Sequence, residues 1–403
     1  MSIEHRSSQM QLVVRDRTGR PLADADISYA LTNHEFLFGA GGFDALPATE
    51  SGNPGQEAAA RRVELLASAF NYATIPFYWG RFEPVEGQPQ TQSRMDAARL
   101  LRAKGVKVKG HPLCWHTVCA DWLMEYDNKT ILRKQLDRIQ REVSDFRGVV
   151  DIWDVINEVV IMPVYDRYDN AVTRICKEYG DVNLVKMVFD AAKQANPEAV
   201  LLINDFNLSD KYRDLIVRCL DAGVPIDAIG LQTHQHQGYR GEEWFQEVLE
   251  RFKPLGLPLH FTENTLVSGH LMPPEIVDLN DYQIPSWPTT PEGEQRQKEE
   301  WAKMYRQLFA CPQVEAITGW DLTDGGWLGA PSGLLRVDGS PKPAYLELKR
   351  LIHEEWTSKG TLHTDKAGQA ILTGFRGTYE LRCGDSTAAV TLGKNSGTTV
   401  VTL

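Results

Sequence analysis

Residues 149–158 read Val149-Val150-Asp151-Ile152-Trp153-Asp154-Val155-Ile156-Asn157-Glu158. The β-branched run from Val149 to Val155 has the pattern of a strand buried on both faces, as in a parallel sheet. After a long loop it is followed by a helical stretch, Asn183 to Asn196. Parallel neighbours require such crossovers, and the same beat recurs on both sides. Upstream, Phe36 to Ala40 precedes Gln56 to Phe70, Tyr72 to Ile75 precedes Ser93 to Lys104, and Val106 to Lys109 precedes Ile131 to Phe146. Downstream, Val200 to Ile203 precedes Lys211 to Ala222, and Ala228 to Leu231 precedes Glu242 to Phe252. Pro258 to Thr262 then precedes Pro291 to Phe309, and Ala316 to Trp320 precedes Ala344 to Trp356. Eight strand-helix pairs over about 320 residues predict an α/β chain folded as a (β/α)8 TIM barrel, since open doubly wound sheets usually stop at about six strands.

The two ends of the chain read differently. Met10 to Val14 and Ala25 to Tyr29 flank Asp16-Arg17-Thr18-Gly19, a hairpin-like turn, and Thr361 to Leu403 is a series of short Thr/Val/Leu/Tyr strands punctuated by glycines. Neither piece carries enough apolar surface to fold alone. The expected organisation is a catalytic barrel over 31–356, with residues 1–30 and 357–403 pairing into one small β-sandwich. Only Phe375 and Tyr379 are aromatic beyond Trp356, so a stabilising role for this appendage is favoured over a carbohydrate-binding module, which needs exposed rings.

The 403 residues include 43 basic and 54 acidic side chains, a formal charge of −11. Nucleic-acid binders present a basic face that displaces counterions, so this balance argues against a polyphosphate partner. No apolar run approaches the roughly 20 residues of a membrane helix, and the start, Met1 to Arg6, lacks the apolar core of a signal peptide. The expected location is cytoplasmic, or secreted where a leader has been trimmed. The six cysteines are scattered without a CxxC pair, which fits reduced thiols. Gly39-Ala40-Gly41-Gly42 lacks the spacing of a phosphate cradle. No cofactor and no metal are expected.

In this fold, chemistry sits at the C-terminal ends of the strands. The fourth strand delivers Glu158 there with Asn157 beside it, and the seventh, Leu259-His260-Phe261-Thr262-Glu263, delivers Glu263. Two carboxyl groups on one rim are the minimal equipment for hydrolysing a glycosidic bond: one protonates the leaving oxygen, and the other attacks or activates water. The other strand ends supply His111, Trp115, His116, Asn204, Gln232, His234, His236, Trp320 and Trp327. Polar donors mixed with indoles suit a sugar, whose hydroxyls take forked hydrogen bonds and whose ring face takes a flat apolar partner. His260, inside its strand, is assigned to the core.

The ordered set Gly110-His111-Pro112-Leu113-Cys114-Trp115-His116, Trp153 to Glu158, Asn204 to Asn207, Gly230 to His234, Thr262-Glu263, Gly319-Trp320 and Pro341 to Tyr345 resembles glycoside hydrolase family 10, the family of β-1,4-xylanases, over about residues 36–352. The resemblance implies a retaining hydrolase of xylan or xylo-oligosaccharides, with Glu158 as acid/base and Glu263 as nucleophile. It also implies that His111, Trp115, His116, Asn157, Gln232, His234, Trp320 and Trp327 line the sugar subsites. Carboxyl groups about 5 Å apart at an effective dielectric near 20 repel by about 3 kcal/mol, roughly two pKa units, so an ionised Glu263 would keep Glu158 protonated.

Three departures stand out. Where the family carries a Glu-Asn pair and a Lys-Trp, this chain has Thr74-Ile75-Pro76-Phe77-Tyr78-Trp79-Gly80-Arg81, so Trp79 and Arg81 are expected to rebuild that subsite. Thr265 stands where the family has an Asp two residues past the nucleophile. Asn264 to Thr290 is a long, Pro-rich loop placed to cover part of the cleft. An exo-acting enzyme, or one for a plant glycoside, is the alternative within the family. Outside it, His234-Gln235-His236 raises a metal-dependent hydrolase, although such sites usually place their HxH after the first strand. A catalytically silent sugar-binding barrel is opposed by the presence of both glutamates.

Overall fold

A computed structural model describes residues 2–403. Two strands open the chain, β1 (Ser7–Arg15) and β2 (Asp26–His34). Eight then form the barrel: β3 (Leu37–Gly41), β4 (Tyr72–Pro76), β5 (Lys107–His111), β6 (Ile152–Asn157), β7 (Val200–Asp205), β8 (Ala228–Gln235), β9 (Leu259–Leu266) and β10 (Val314–Gly319). They close in the order β10-β3-β4-β5-β6-β7-β8-β9, all parallel, with helices between them. The predicted barrel is present strand for strand. Its sixth and seventh strands run four residues further toward the mouth than their apolar cores suggest, because most of the added residues are polar yet buried.

Outward-facing residues of the strands bury against the helical ring. Trp153, Phe77 and Phe146 meet edge to face at centroid distances of 4.9–6.2 Å. Gly110 on β5 lies so close that a Cβ there would sit 2.2 Å from the Trp153 ring, so the indole has room only because the residue is glycine.

The chain ends build a β-sandwich from two sheets, β12-β1-β15 and β11-β2-β13-β14, with β11 (Lys359–His363), β12 (Gln369–Phe375), β13 (Gly377–Cys383), β14 (Ser386–Leu392) and β15 (Thr398–Thr402). The Asp16–Gly19 turn exists, closed by the Asp16 carboxylate on the Thr18 and Arg20 amides at 2.8 and 3.0 Å. It does not make a hairpin. β1 pairs with β12 and β15, whereas β2 crosses to pair with β11 and β13. The reason is burial: on opposite sheets, Met10, Leu12 and Val14 face Ile27, Tyr379 and Leu381 in one apolar core, which a shared sheet would leave exposed.

This sandwich is fastened to the end of the barrel where the strands begin. Arg6, 5% exposed, donates to the carbonyls of Phe309, Cys311 and Val314 at 2.9, 2.6 and 2.7 Å and lies over the rings of Phe36 and Phe309. Phe309 also stacks on Trp356 at 4.2 Å and touches Phe375. The appendage therefore seals the bottom of the barrel, opposite the mouth.

Gly110→Ala should lower stability by about 1–3 kcal/mol, because a methyl group driven into a filled site displaces Trp153 or the β5 backbone. Chemical denaturation of the variant against the parent reads this directly, and an unchanged midpoint would contradict the packing described.

Candidate active site

Residues from strands that are not neighbours can touch only by pointing into the barrel. His111 on β5 lies four strands from β9, on the opposite side, yet its Nδ1 is 3.8 Å from Glu263 Oε1. Lys109, Asp154 and His111 form the floor beneath this contact. The Lys109 ammonium is 2.6 Å from Asp154 Oδ2, and His111 Nδ1 is 2.7 Å from the same oxygen, all three side chains being essentially inaccessible. Lys109 and Asp154 did not stand out in the sequence as site residues. Their signal was a lysine at inward parity with His111 and an aspartate inside an apolar strand, a pairing that buried charge requires.

The pairing register slips by one residue between Phe261 and Glu263 on β9 against β8, leaving Thr262 as the extra residue. A bulge re-aims side chains that would otherwise alternate. Here both Thr262 and Glu263 reach Asn204, whose Oδ1 accepts from the Thr262 hydroxyl at 2.6 Å while its Nδ2 donates to Glu263 Oε1 at 2.7 Å. The same Nδ2 donates to Asn157 Oδ1 at 2.8 Å, an oxygen that also accepts from Gln232 Nε2 at 2.9 Å. Asn157 Nδ2 in turn donates to Glu158 Oε1 at 3.2 Å. Gly230 makes room for this amide relay, since a Cβ there would meet Asn204 Oδ1 at 2.3 Å.

Glu158 stands just past β6 with φ of 58°, the left-handed region that non-glycine residues rarely adopt. Its amide donates to the Asn204 carbonyl at 2.8 Å, and Trp115 Nε1 donates to Oε2 at 2.9 Å. Burial first, then the nearby charge of Glu263, push its carboxyl up to about 8. The sequence expectation had only the charge; the cavity contributes more. Glu263 moves the other way. Burial alone would raise it, but the His111 imidazole, the hydrogen bond from His234 and the Lys109 ammonium outweigh burial and hold it below the usual carboxylate range.

Around the pair, Trp320 meets His111 edge to face at 5.1 Å and His234 at 6.2 Å, and Trp327 lies 4.5 Å from His234. His116 is covered by the edge of Tyr165 at 4.4 Å. His234 Nε2 is 3.3 Å from Glu263 Oε2, and its Nδ1 is 3.4 Å from the Thr265 hydroxyl. His236 Nδ1 is 3.3 Å from that hydroxyl, and its ring lies against Trp287 and Trp327. His260 is buried within β9.

One expected contact is not formed. Trp79, 4% exposed, turns away from the mouth, donates to Glu83 Oε2 at 3.1 Å and packs against Trp122 and the Arg138 guanidinium. Tyr78 takes the inward place, 5.7 Å from His111 and 5.6 Å from Trp115. Tyr78 continues the inward parity of Thr74, just past the end of β4, whereas a short helix begins at Trp79 and carries its indole outward onto Trp122 and Arg138. Arg81 is exposed, with its guanidinium 5.9 Å from the Tyr78 ring.

Comparison with known proteins agrees with this architecture. The model of the family described as Glycosyl hydrolase family 10 matches residues 47–350. Endo-1,4-beta-xylanase B of Thermotoga neapolitana is 31% identical over 316 residues, 74% of this chain and 85% of that protein. Endo-1,4-beta-xylanase/feruloyl esterase of Xylanibacter ruminicola is 26% identical, the match covering 68% of this chain and 41% of that longer protein. Among solved structures, a GH10 protein from Paenibacillus barcinonensis superposes with a TM-score of 0.63 at 24% identity, over 78% of this chain and 94% of the other. Native xylanase 10B from Thermotoga maritima gives 0.62 at 23% identity, over 80% and 96%; at these identities the likeness speaks for the fold. Barrel, family model and relative together establish that the chain belongs to glycosyl hydrolase family 10.

Proposed function

We propose that this chain is a retaining glycoside hydrolase that cleaves β-1,4-xylosidic bonds in xylan or xylo-oligosaccharides, with Glu263 as nucleophile and Glu158 as acid/base. The observation that carries the reading is the opposite displacement of two carboxyl groups tied to one amide relay: Glu158 up to about 8, Glu263 below its ordinary value. Near neutral pH one is protonated and can give its proton to the leaving oxygen, while the other is ionised and can attack the anomeric carbon. Esterification of Glu263 removes its charge, so Glu158 becomes more acidic and can take a proton from the incoming water. Burial, its larger cause, persists through that step, so Glu158 stays more basic than an exposed carboxylate. The xylosyl preference is supported by the names of the relatives matched, both endo-1,4-beta-xylanases.

Hydrogen-bond valence assigns the state of His234. Burial pushes His236 down to about 3, so its ring is neutral with one N–H, and its Nε2 has no partner. A buried N–H without an acceptor costs more than a lone pair without a donor, so the proton is placed on Nδ1, where it can donate to Thr265 Oγ1. The hydroxyl also accepts from the Gln235 amide at 3.2 Å, which uses both its acceptor sites and leaves its own proton for His234 Nδ1. His234 then presents Nε2–H to Glu263.

Glu263→Ala should abolish turnover while sugar binding persists, and azide added to it should yield no product of retained configuration. Glu158→Ala should spare aryl xylosides with good leaving groups and lose about 10²–10⁴-fold on natural linkages; equal losses on both would contradict the acid role. The parent kcat/KM profile should fall as pH rises through about 8, where Glu158 loses its proton, and fall again in acid as Glu263 gains one. The alkaline limb should be missing from Glu158→Ala. Thr265→Val should move the acid limb upward, because Glu263 loses an oriented donor, and Thr265→Ser should restore it; superimposable profiles for all three proteins would rule out the relay.

A further inference from the structure

The segment that follows β9 is a built element, not a slack loop. Val267, Met272, Trp287 and Ala330 form a small buried core there. The Met272 amide donates to the His236 carbonyl at 2.9 Å, and Gln237 Nε2 donates to the carbonyls of Pro273 and Ile276 at 2.9 and 2.7 Å. The segment is thus fixed along its length to the ends of β8 and β10.

Its outermost turn, Leu279–Asp281, touches two opposite walls of the mouth. On one side Trp327 Nε1, in the loop past β10, donates to Asn280 Oδ1 at 3.2 Å. On the other, Arg167, in the loop past β6, lies 3.0 Å from Asp278 Oδ2 and donates to both oxygens of Asp281 at 3.0 Å. β10 and β6 are four strands apart in a ring of eight, so they face each other across the barrel. The Trp327 anchor lies 4.5 Å from His234, the neighbour of Glu263, and the Arg167 anchor stands two residues past Tyr165, which covers His116, the residue after the Trp115 that donates to Glu158.

We propose that residues 278–281, clasped by Arg167, form a fixed strap that restricts this enzyme to chain ends and short oligosaccharides. The inference rests on the xylosidic reading above and deepens it. If the strap lies over the bound chain, a polymer must be threaded; if it lies across the end of the groove, the groove is blind. In both arrangements the interior of a long polysaccharide is kept from settling sideways between Glu158 and Glu263.

The test follows xylan by viscometry and by reducing-end release, alongside xylo-oligosaccharides and an aryl β-xyloside. The parent should release reducing ends with little loss of viscosity. Arg167→Glu sets a like charge against Asp278 and Asp281, and should raise the ratio of kcat/KM on xylan to that on oligosaccharide severalfold while leaving the aryl β-xyloside rate unchanged. A second variant with 274–286 replaced by a short Gly/Ser link should raise the ratio further, its melting transition and aryl β-xyloside rate reporting that it folds. Rapid viscosity loss by the parent, or an unchanged ratio in Arg167→Glu, overturns the strap while the xylosidic reading stands. Absence of hydrolysis on every xylosyl substrate overturns that reading and takes the strap with it.

Discussion

A carboxylate deep in a barrel remains ionised only if its surroundings replace the water it has lost, and the site is arranged around meeting that demand for Glu263. Asn204 and His234 approach its oxygens, and His111 and the Lys109–Asp154 pair lie beneath. Lys109 and Asp154 cancel each other's charge at close range, so the barrel floor carries two ions without a large net field. His111 is the joint between the layers, bound to Asp154 and adjacent to Glu263. Remove the cation, and two carboxylates would share one dry interior.

Glu158 experiences the opposite solution. It lies in the same buried region, but its contacts are neutral donors from Trp115, Asn157 and Gln232, and among the described residues it has no cationic partner. Two chemically identical side chains therefore separate in acidity through their neighbours alone. The amide relay through Asn157 and Asn204 keeps them in register: one primary amide spans to Glu263, the next to Glu158, and Gln232 fixes the orientation of the middle oxygen. The left-handed backbone at Glu158 belongs to the same economy, since it is held by the Asn204 carbonyl from the neighbouring strand.

The ends of the chain serve the barrel from below. Arg6, Phe36, Phe309, Phe375 and Trp356 close the bottom face, far from the rim where sugars would bind. At the rim, the segment after β9 provides the second structural addition, with a small core of its own. Stability is thus added at one end of the barrel and shape at the other.

The amino-acid order alone determined the eight-strand beat, the sandwich at the termini, and the placing of one glutamate toward the mouth on each of the fourth and seventh strands, because short continuous apolar runs alternating with helical stretches are local properties of a chain. Tertiary structure alone decided the rest. Tyr78 rather than Trp79 stands at the mouth because a short helix begins at Trp79 and packs its indole against Arg138 and Trp122, which are distant in the sequence. The separation of β1 from β2 follows from which apolar faces meet. Lys109 acquires its importance from a strand 45 residues away, the Thr265 hydroxyl from two imidazoles it joins, and Arg167 from acids more than 100 positions downstream. Each of these depends on a distance between parts of the chain that no local pattern encodes.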